Sequence, residues 1–206
     1  MEEVGLANVA NRFNRGIGAG KSSAGSLLAR LGAIHISADQ LAREVLERGE
    51  EGFNQVVAEF GDEILTNGAI DRGKLAEIIF NDSSKRDLLE EITHPLIAKR
   101  FLRIKNSLPE NAVVVYEIPL LAEKPERARD FDFIVTIETS QELRLERLQG
   151  RGLTRDQAIG RMAHQTSDKN RREISHHVIE NNGDIEALLT ALEEWWDDFI
   201  APRIVD

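Results

Sequence analysis

The stretch Gly16-Ile17-Gly18-Ala19-Gly20-Lys21-Ser22-Ser23 constrains this chain more than any other. Glycine at alternate positions removes each Cβ that blocks close backbone approach to a ligand, and it opens backbone angles that other residues avoid. Lys21 and Ser22 follow at once, and residues 23–31 read as a helix start. Exposed N–H groups leading into the positive end of a helix make a cradle for phosphate. In the pattern G-x-x-x-x-G-K-[ST], the lysine reaches the β- and γ-phosphates and the hydroxyl ligates Mg²⁺. Counting back from Gly20 puts Arg15 in the place of the first glycine. That glycine is either missing or displaced by an insertion. A glycine-rich turn that only caps a helix is the plainer alternative.

The segments around this stretch read as alternating strand and helix. Val4-Gly5-Leu6-Ala7 is a strand candidate, whereas residues 8–15 are polar for a buried first strand. Leu27, Leu28 and Leu31 recur at helical spacing, and Gly32 supplies a stop. Residues 33–36 form a short second strand, and Ser37-Ala38-Asp39 caps a helix through Leu46. Strand, glycine loop, helix and strand make a βαβ unit, which favours a parallel sheet. Residues 52–107 are mostly helical by pattern, with breaks at Asn67-Gly68 and Asn81-Asp82 and no strand run. They are expected to form a helical insert.

Residues 112–116 are a continuous apolar run, as in a parallel strand covered on both faces. Residues 131–137 make a further strand followed by a helix at 140–149, and 154–165 make another helix with a Thr154 cap. Residues 176–179 are a short last strand and 184–200 an amphipathic closing helix. The fold class is α/β: one three-layer domain over 1–206 around a parallel sheet of about five strands, the common size.

Charge narrows the partners. A net charge of −10 over 206 residues argues against a nucleic-acid or anionic-membrane surface. Any polyphosphate site is therefore a local basic pocket on an acidic body. With no cysteine there is no disulfide framework, thiolate metal site or cysteine nucleophile. Met1-Glu2-Glu3 lacks an apolar signal core, and no run is long enough to span a bilayer. A cytoplasmic protein is expected.

Several side chains are candidates for chemistry. Asp39, just past the second strand, either accepts or orients the proton of an attacking hydroxyl or stabilises the first turn of its helix. Arg43, one turn on, binds a substrate phosphate or pairs with Asp39. Glu117, at the carboxyl end of the apolar run where α/β sheets hold ligands, either holds Mg²⁺ through water or ends a buried strand in solvent. His94-Pro95 closes one helical pattern and opens another, so His94 is also read as a capping residue. Arg147, Arg151 and Arg155 recur every four residues around Gly150 and Gly152, which suits a lid closing on phosphates or a plain charged helix face. His164, His176 and His177 lack ligand spacing and are left as surface or packing residues.

Taken in order, the motifs resemble those of the dephospho-coenzyme A kinase family of P-loop kinases. The resemblance runs from about Gly16 to Ile200. Besides the glycine stretch it includes Ile36-Ser37-Ala38-Asp39-Gln40-Leu41-Ala42-Arg43, Gly68-Ala69-Ile70-Asp71-Arg72 and Ile79-Phe80-Asn81-Asp82. Ile92-Thr93-His94-Pro95-Leu96-Ile97, Ile118-Pro119-Leu120-Leu121, Glu146-Arg147-Leu148 with Arg151, and Val178-Ile179-Glu180-Asn181-Asn182-Gly183 complete it.

The resemblance implies transfer of phosphate from ATP to the ribose 3′-hydroxyl of dephospho-coenzyme A. It implies that Gly16, Ile17, Gly18, Ala19, Gly20, Lys21, Ser22 and Ser23 hold the ATP phosphates and that Ser22 binds Mg²⁺. Asp39 then stands at the acceptor hydroxyl, with Arg43, His94 and Glu117 on the substrate side. Lys21, Asp39, Arg147 and Arg151 are the implied catalytic set, and Asn181, Asn182 and Gly183 the loop near adenine. Residues 52–107 match the substrate-side helices and 147–165 the lid. No nucleic acid, no membrane, and a monomer or weak homo-oligomer are expected.

Three departures stand out. The family runs a hydrophobic strand straight into its glycines, whereas here Val9 to Arg15 either intervene after a strand at Val4-Gly5-Leu6-Ala7 or replace that strand. Ser37-Ala38-Asp39 has one carboxylate where the family has two, and Glu117 stands where aspartate is common. A kinase of another small acceptor and a non-catalytic binder of a coenzyme A-like ligand are the alternatives.

Overall fold

The computed structural model describes residues 10–15, 21–118, 131–163 and 167–204, with side chains except at 10–15, 21–23 and 161. The chain divides into two compact units, residues 1–37 with 109–206 and residues 38–108.

The first unit is built on a sheet of five parallel strands. Strand β1 (Ala10–Arg15) leads towards helix α1 (Lys21–Arg30) and β2 (Ile34–Ser37). The sheet order is β2, then the strand Val114–Glu117, then β1, then Phe133–Glu138, then His177–Glu180. The chain fills one side of β1 first and the other side afterwards, so its direction of winding reverses at β1. Open α/β sheets bind ligands outside the carboxyl end of the strand at that reversal. Strand β1 ends there at Arg15.

Strand β1 resolves the alternatives left by the sequence. Asn11 lies opposite both Val115 and Phe133, and Phe13 opposite both Glu117 and Val135, so the strand is bonded on both edges. The polar segment replaces the strand expected at 4–7, which lies outside the described residues. Asn11, Arg12, Asn14 and Arg15 conceal it because central parallel strands ordinarily read as apolar runs. Backbone pairing with two strong neighbours decides the matter against intrinsic propensity.

One core of this unit lies on the α1 face. Ala24, Leu27 and Leu28 of α1 pack with Val113, Val115, Val135 and Ile137, every second residue of two strands. A long C-terminal helix (Ile185–Trp195) adds Leu188, Leu192 and Trp195, and a wider turn at Trp196–Ile200 closes the layer. Asp184 caps that helix by accepting from the Ala187 N–H.

His177 gives the unit a pH signature, and His176 lies beside it. His176 accepts the Ile134 N–H at Nδ1 over 3.0 Å and stacks on Phe133. His177 packs on Phe199, and burial lowers its pKa below the ordinary 6.5. Below about pH 6.5 the unfolded chain takes up a proton that the folded chain resists, so stability falls as pH falls from there. Thermal midpoints measured from pH 8 down to 5 should therefore drop, and His177→Gln should flatten the slope.

The second unit is helical, as residues 52–107 suggest, with one addition. Helices α2 (Ala38–Glu44) and α3 (Glu51–Phe60) precede a hairpin of β3 (Leu65–Thr66) and β4 (Ala69–Ile70). The break read at Asn67-Gly68 is its turn, with both residues at positive φ, 54° and 74°. Two-residue strands are too short to show alternation. Helices α4 (Arg72–Asn81) and α5 (Ser83–Asn106) follow, each with an aspartate N-cap. The Thr66 hydroxyl, then the Lys74 and Gly73 N–H groups, hold the Asp71 carboxyl below the usual range; Ser84 and Lys85 do the same for Asp82. Helix α5 runs unbroken through Pro95, correcting the two helices read there. Leu88, Leu89 and Ile92 anchor it against Val56, Phe60, Ile64 and Leu75, and tertiary packing outweighs the missing proline N–H.

After the second unit the chain returns as β5 (Val114–Glu117) and β6 (Phe133–Glu138). Helices α6 (Gln141–Gln149), α7 (Arg155–Ala163) and α8 (Asp168–Glu173) precede β7 (His177–Glu180) and α9 (Ile185–Trp195). The described part of 154–165 is shorter than the helix expected there, and α8 was not foreseen.

Candidate active site

Because all five strands run the same way, Arg15, Ser37, Glu117, Glu138 and Glu180 end on one edge of the sheet. Gly16, Ile17, Gly18, Ala19 and Gly20 lie outside the described residues, as do the side chains of Lys21, Ser22 and Ser23. Their frame is described: a strand ending at Arg15 and a ten-residue helix opening at Lys21. Helix α1 has no acidic residue in its first turn, so its positive end remains available to an anion.

Glu117 does not end in solvent. It is 7% exposed, and its Oε2 lies 3.0 Å from Nε2 of His35. The register explains the pair. His35 lies opposite Val115 and Ser37 opposite Glu117, so His35 and Glu117 are diagonal neighbours on the face that Val113 and Val115 turn to α1. Helix α1 closes on the ring so tightly that a Cβ on Gly25 would sit 2.6 Å from two of its atoms. Sequence reading missed His35, because Ile-His-Ile reads as an ordinary buried strand.

The oxygen of Glu117 suits Mg²⁺, which takes one or two protein oxygens and otherwise water and phosphate. Among the described residues no cluster of three His, Cys, Asp or Glu forms an all-protein metal cage.

On the other side of β1 the structure joins Arg147 to the loop after β7. The Arg147 guanidinium donates to Thr139 Oγ1 at 3.3 Å, the Gly183 carbonyl at 3.2 Å and Asn181 Oδ1 at 3.5 Å. Asn182 Oδ1 accepts the Ser140 N–H at 2.8 Å. Arg147 thus ties down Asn181 and Gly183 and Ser140 holds Asn182, while Arg151 in the turn after α6 and Arg155 on α7 are exposed. Two arginines that the sequence did not single out, Arg144 and Arg171, are each 4% exposed and share Asp168.

In the second unit, Asp39 is the second residue of α2 and exposed, and Arg43 is exposed one turn on. No ion pair joins them among the described residues. His94 lies inside α5, 4.0 Å from Glu90, and is not a helix cap.

The family model of dephospho-CoA kinase matches residues 13–187. The chain belongs to the dephospho-CoA kinase family. Its fold is accordingly that of the P-loop kinases, and the match begins inside β1, in agreement with a replaced strand. The dephospho-CoA kinase of Frankia casuarinae is 42% identical over 91% of this chain and 82% of its own length. That of Thermobifida fusca is 37% identical over 96% of each. The solved structure of dephospho-CoA kinase from Campylobacter jejuni has a TM-score of 0.71 at 26% identity, covering 93% of this chain and 96% of that one.

Proposed function

We propose that this chain transfers the γ-phosphoryl group of ATP to the 3′-hydroxyl of dephospho-CoA, giving CoA and ADP, the last step of coenzyme A synthesis. The match to the family model across residues 13–187 carries this reading. The hydroxyl oxygen bonds to the γ-phosphorus, and the bond from that phosphorus to the βγ-bridging oxygen breaks. The electron pair leaves with ADP, and the hydroxyl proton passes to Asp39. Little covalent chemistry falls to the protein, so its work is positioning and charge stabilisation.

In this reading the amides of residues 16–20 cradle the phosphates and Lys21 reaches the γ-phosphate. Arg151 meets the charge that develops during transfer, and Arg147 holds the 181–183 loop beside adenine. Ser22, with Glu117 through water, would hold Mg²⁺, which neutralises phosphate charge when bound. Arg43, His94 and the helices of 52–107 serve the acceptor, and 147–165 closes as a lid. No helix among the described residues is long and apolar enough to cross a membrane; a cytoplasmic enzyme, as a monomer or weak homo-oligomer, is proposed.

Two experiments address this reading. Dephospho-CoA, nucleoside monophosphates and shikimate are offered in turn with Mg·ATP; only dephospho-CoA should gain a phosphate, at the 3′ position by phosphorus NMR. Turnover of another acceptor instead would overturn the assignment. Arg147→Ala, which frees the 181–183 loop, should raise KM for ATP about tenfold with a smaller change in kcat. An unchanged KM would remove Arg147 from the nucleotide site.

A further inference from the structure

We infer that His35 is a positioning residue for Mg·nucleotide binding, acting through Glu117 at the head of α1. The inference rests on the nucleotide site proposed above and extends it to a residue outside the glycine stretch.

Three observations carry it. First, Glu117 is a buried carboxylate. An ionised carboxylate only accepts hydrogen bonds, and Nε2 of His35 lies 3.0 Å from Glu117 Oε2, where a ring N–H donates to it. Second, the imidazole has little freedom to turn away. Helix α1 reaches the ring where Gly25 leaves no side chain, and any Cβ there would overlap Cε1 and Nε2 at 2.6 Å. Third, Gly25 stands one helical turn after Lys21. The ring therefore packs on α1 one turn beyond Lys21, with the Glu117 carboxylate bonded to it at the carboxyl end of β5. A carboxylate held by a wedged donor presents its oxygens in one orientation, and partners that orient metal-site groups typically govern affinity by 10- to 100-fold.

The test is calorimetric binding of ADP, with Mg²⁺ and with EDTA, to the full chain and its variants. Wild type should bind Mg·ADP more tightly than ADP alone. His35→Val should lose about tenfold of the Mg²⁺-dependent gain with binding in EDTA unchanged, and His35→Gln, which keeps a donor, should recover most of it. His35→Val added to Glu117→Gln should cost no more than Glu117→Gln alone, the mark of one residue acting through the other. Gly25→Ala keeps the histidine but displaces its ring, and should reproduce the loss although alanine ordinarily favours a helix over glycine. A Mg²⁺-dependent gain intact in both His35→Val and Gly25→Ala overturns the role of His35. Wild type that binds no Mg·ADP overturns the nucleotide site itself.

Discussion

Lys21→Ala is expected to lower kcat/KM for ATP by on the order of 10³-fold or more, with the thermal midpoint nearly unchanged. The stability half follows from the packing. Helix α1 is anchored by Ala24, Leu27 and Leu28, which are 0–6% exposed, and Lys21 precedes that apolar stripe. The activity half follows from charge: on a chain of net charge −10, removing a cation from the phosphate cradle leaves the transferring group poorly neutralised. Steady-state kinetics beside a melting curve separate the two. Activity within tenfold of wild type would remove Lys21 from the site.

Asp39→Asn is expected to lower kcat by about 10²- to 10⁴-fold, the usual worth of a positioned acid or base, while KM for ATP changes little. Stability should hold. Asp39 is exposed on α2 and forms no ion pair with Arg43 among the described residues, so the substitution breaks no pair there. A drop in thermal midpoint with kcat retained would make Asp39 a helix-terminus charge and nothing more.

Where physical signals are local and strong, the sequence was enough. The apolar run ending at Glu117 became β5, buried throughout, in a parallel sheet of five strands. Asn67-Gly68 was legible as a break but not as a hairpin, since its strands hold two residues each. The first strand was concealed because Asn11, Arg12, Asn14 and Arg15 contradict the apolar pattern of a central strand, and only pairing with β5 and β6 reveals it. Pro95 suggested a helix end that packing of Leu88, Leu89 and Ile92 overrides.

In the candidate site, residue types were readable and their partners were not. Glu117 stood out at a strand end, but its bond to His35 joins positions 82 residues apart and depends on register. Arg147 carried a lid-like spacing, yet its bonds run to Thr139 ahead of α6 and to Asn181 and Gly183, 34 and 36 residues further on. Spacing along one helix cannot report such contacts.

The most direct measurement is release of ADP from Mg·ATP by the purified chain, with and without dephospho-CoA. Release that depends on dephospho-CoA, with CoA formed in equal amount, is the predicted result, and it would mean that a polar first strand ending in Arg15 still delivers a working phosphate cradle. No acceptor-dependent release from a chain with a cooperative melting transition would contradict the account and leave a member of the family that binds without transferring phosphate.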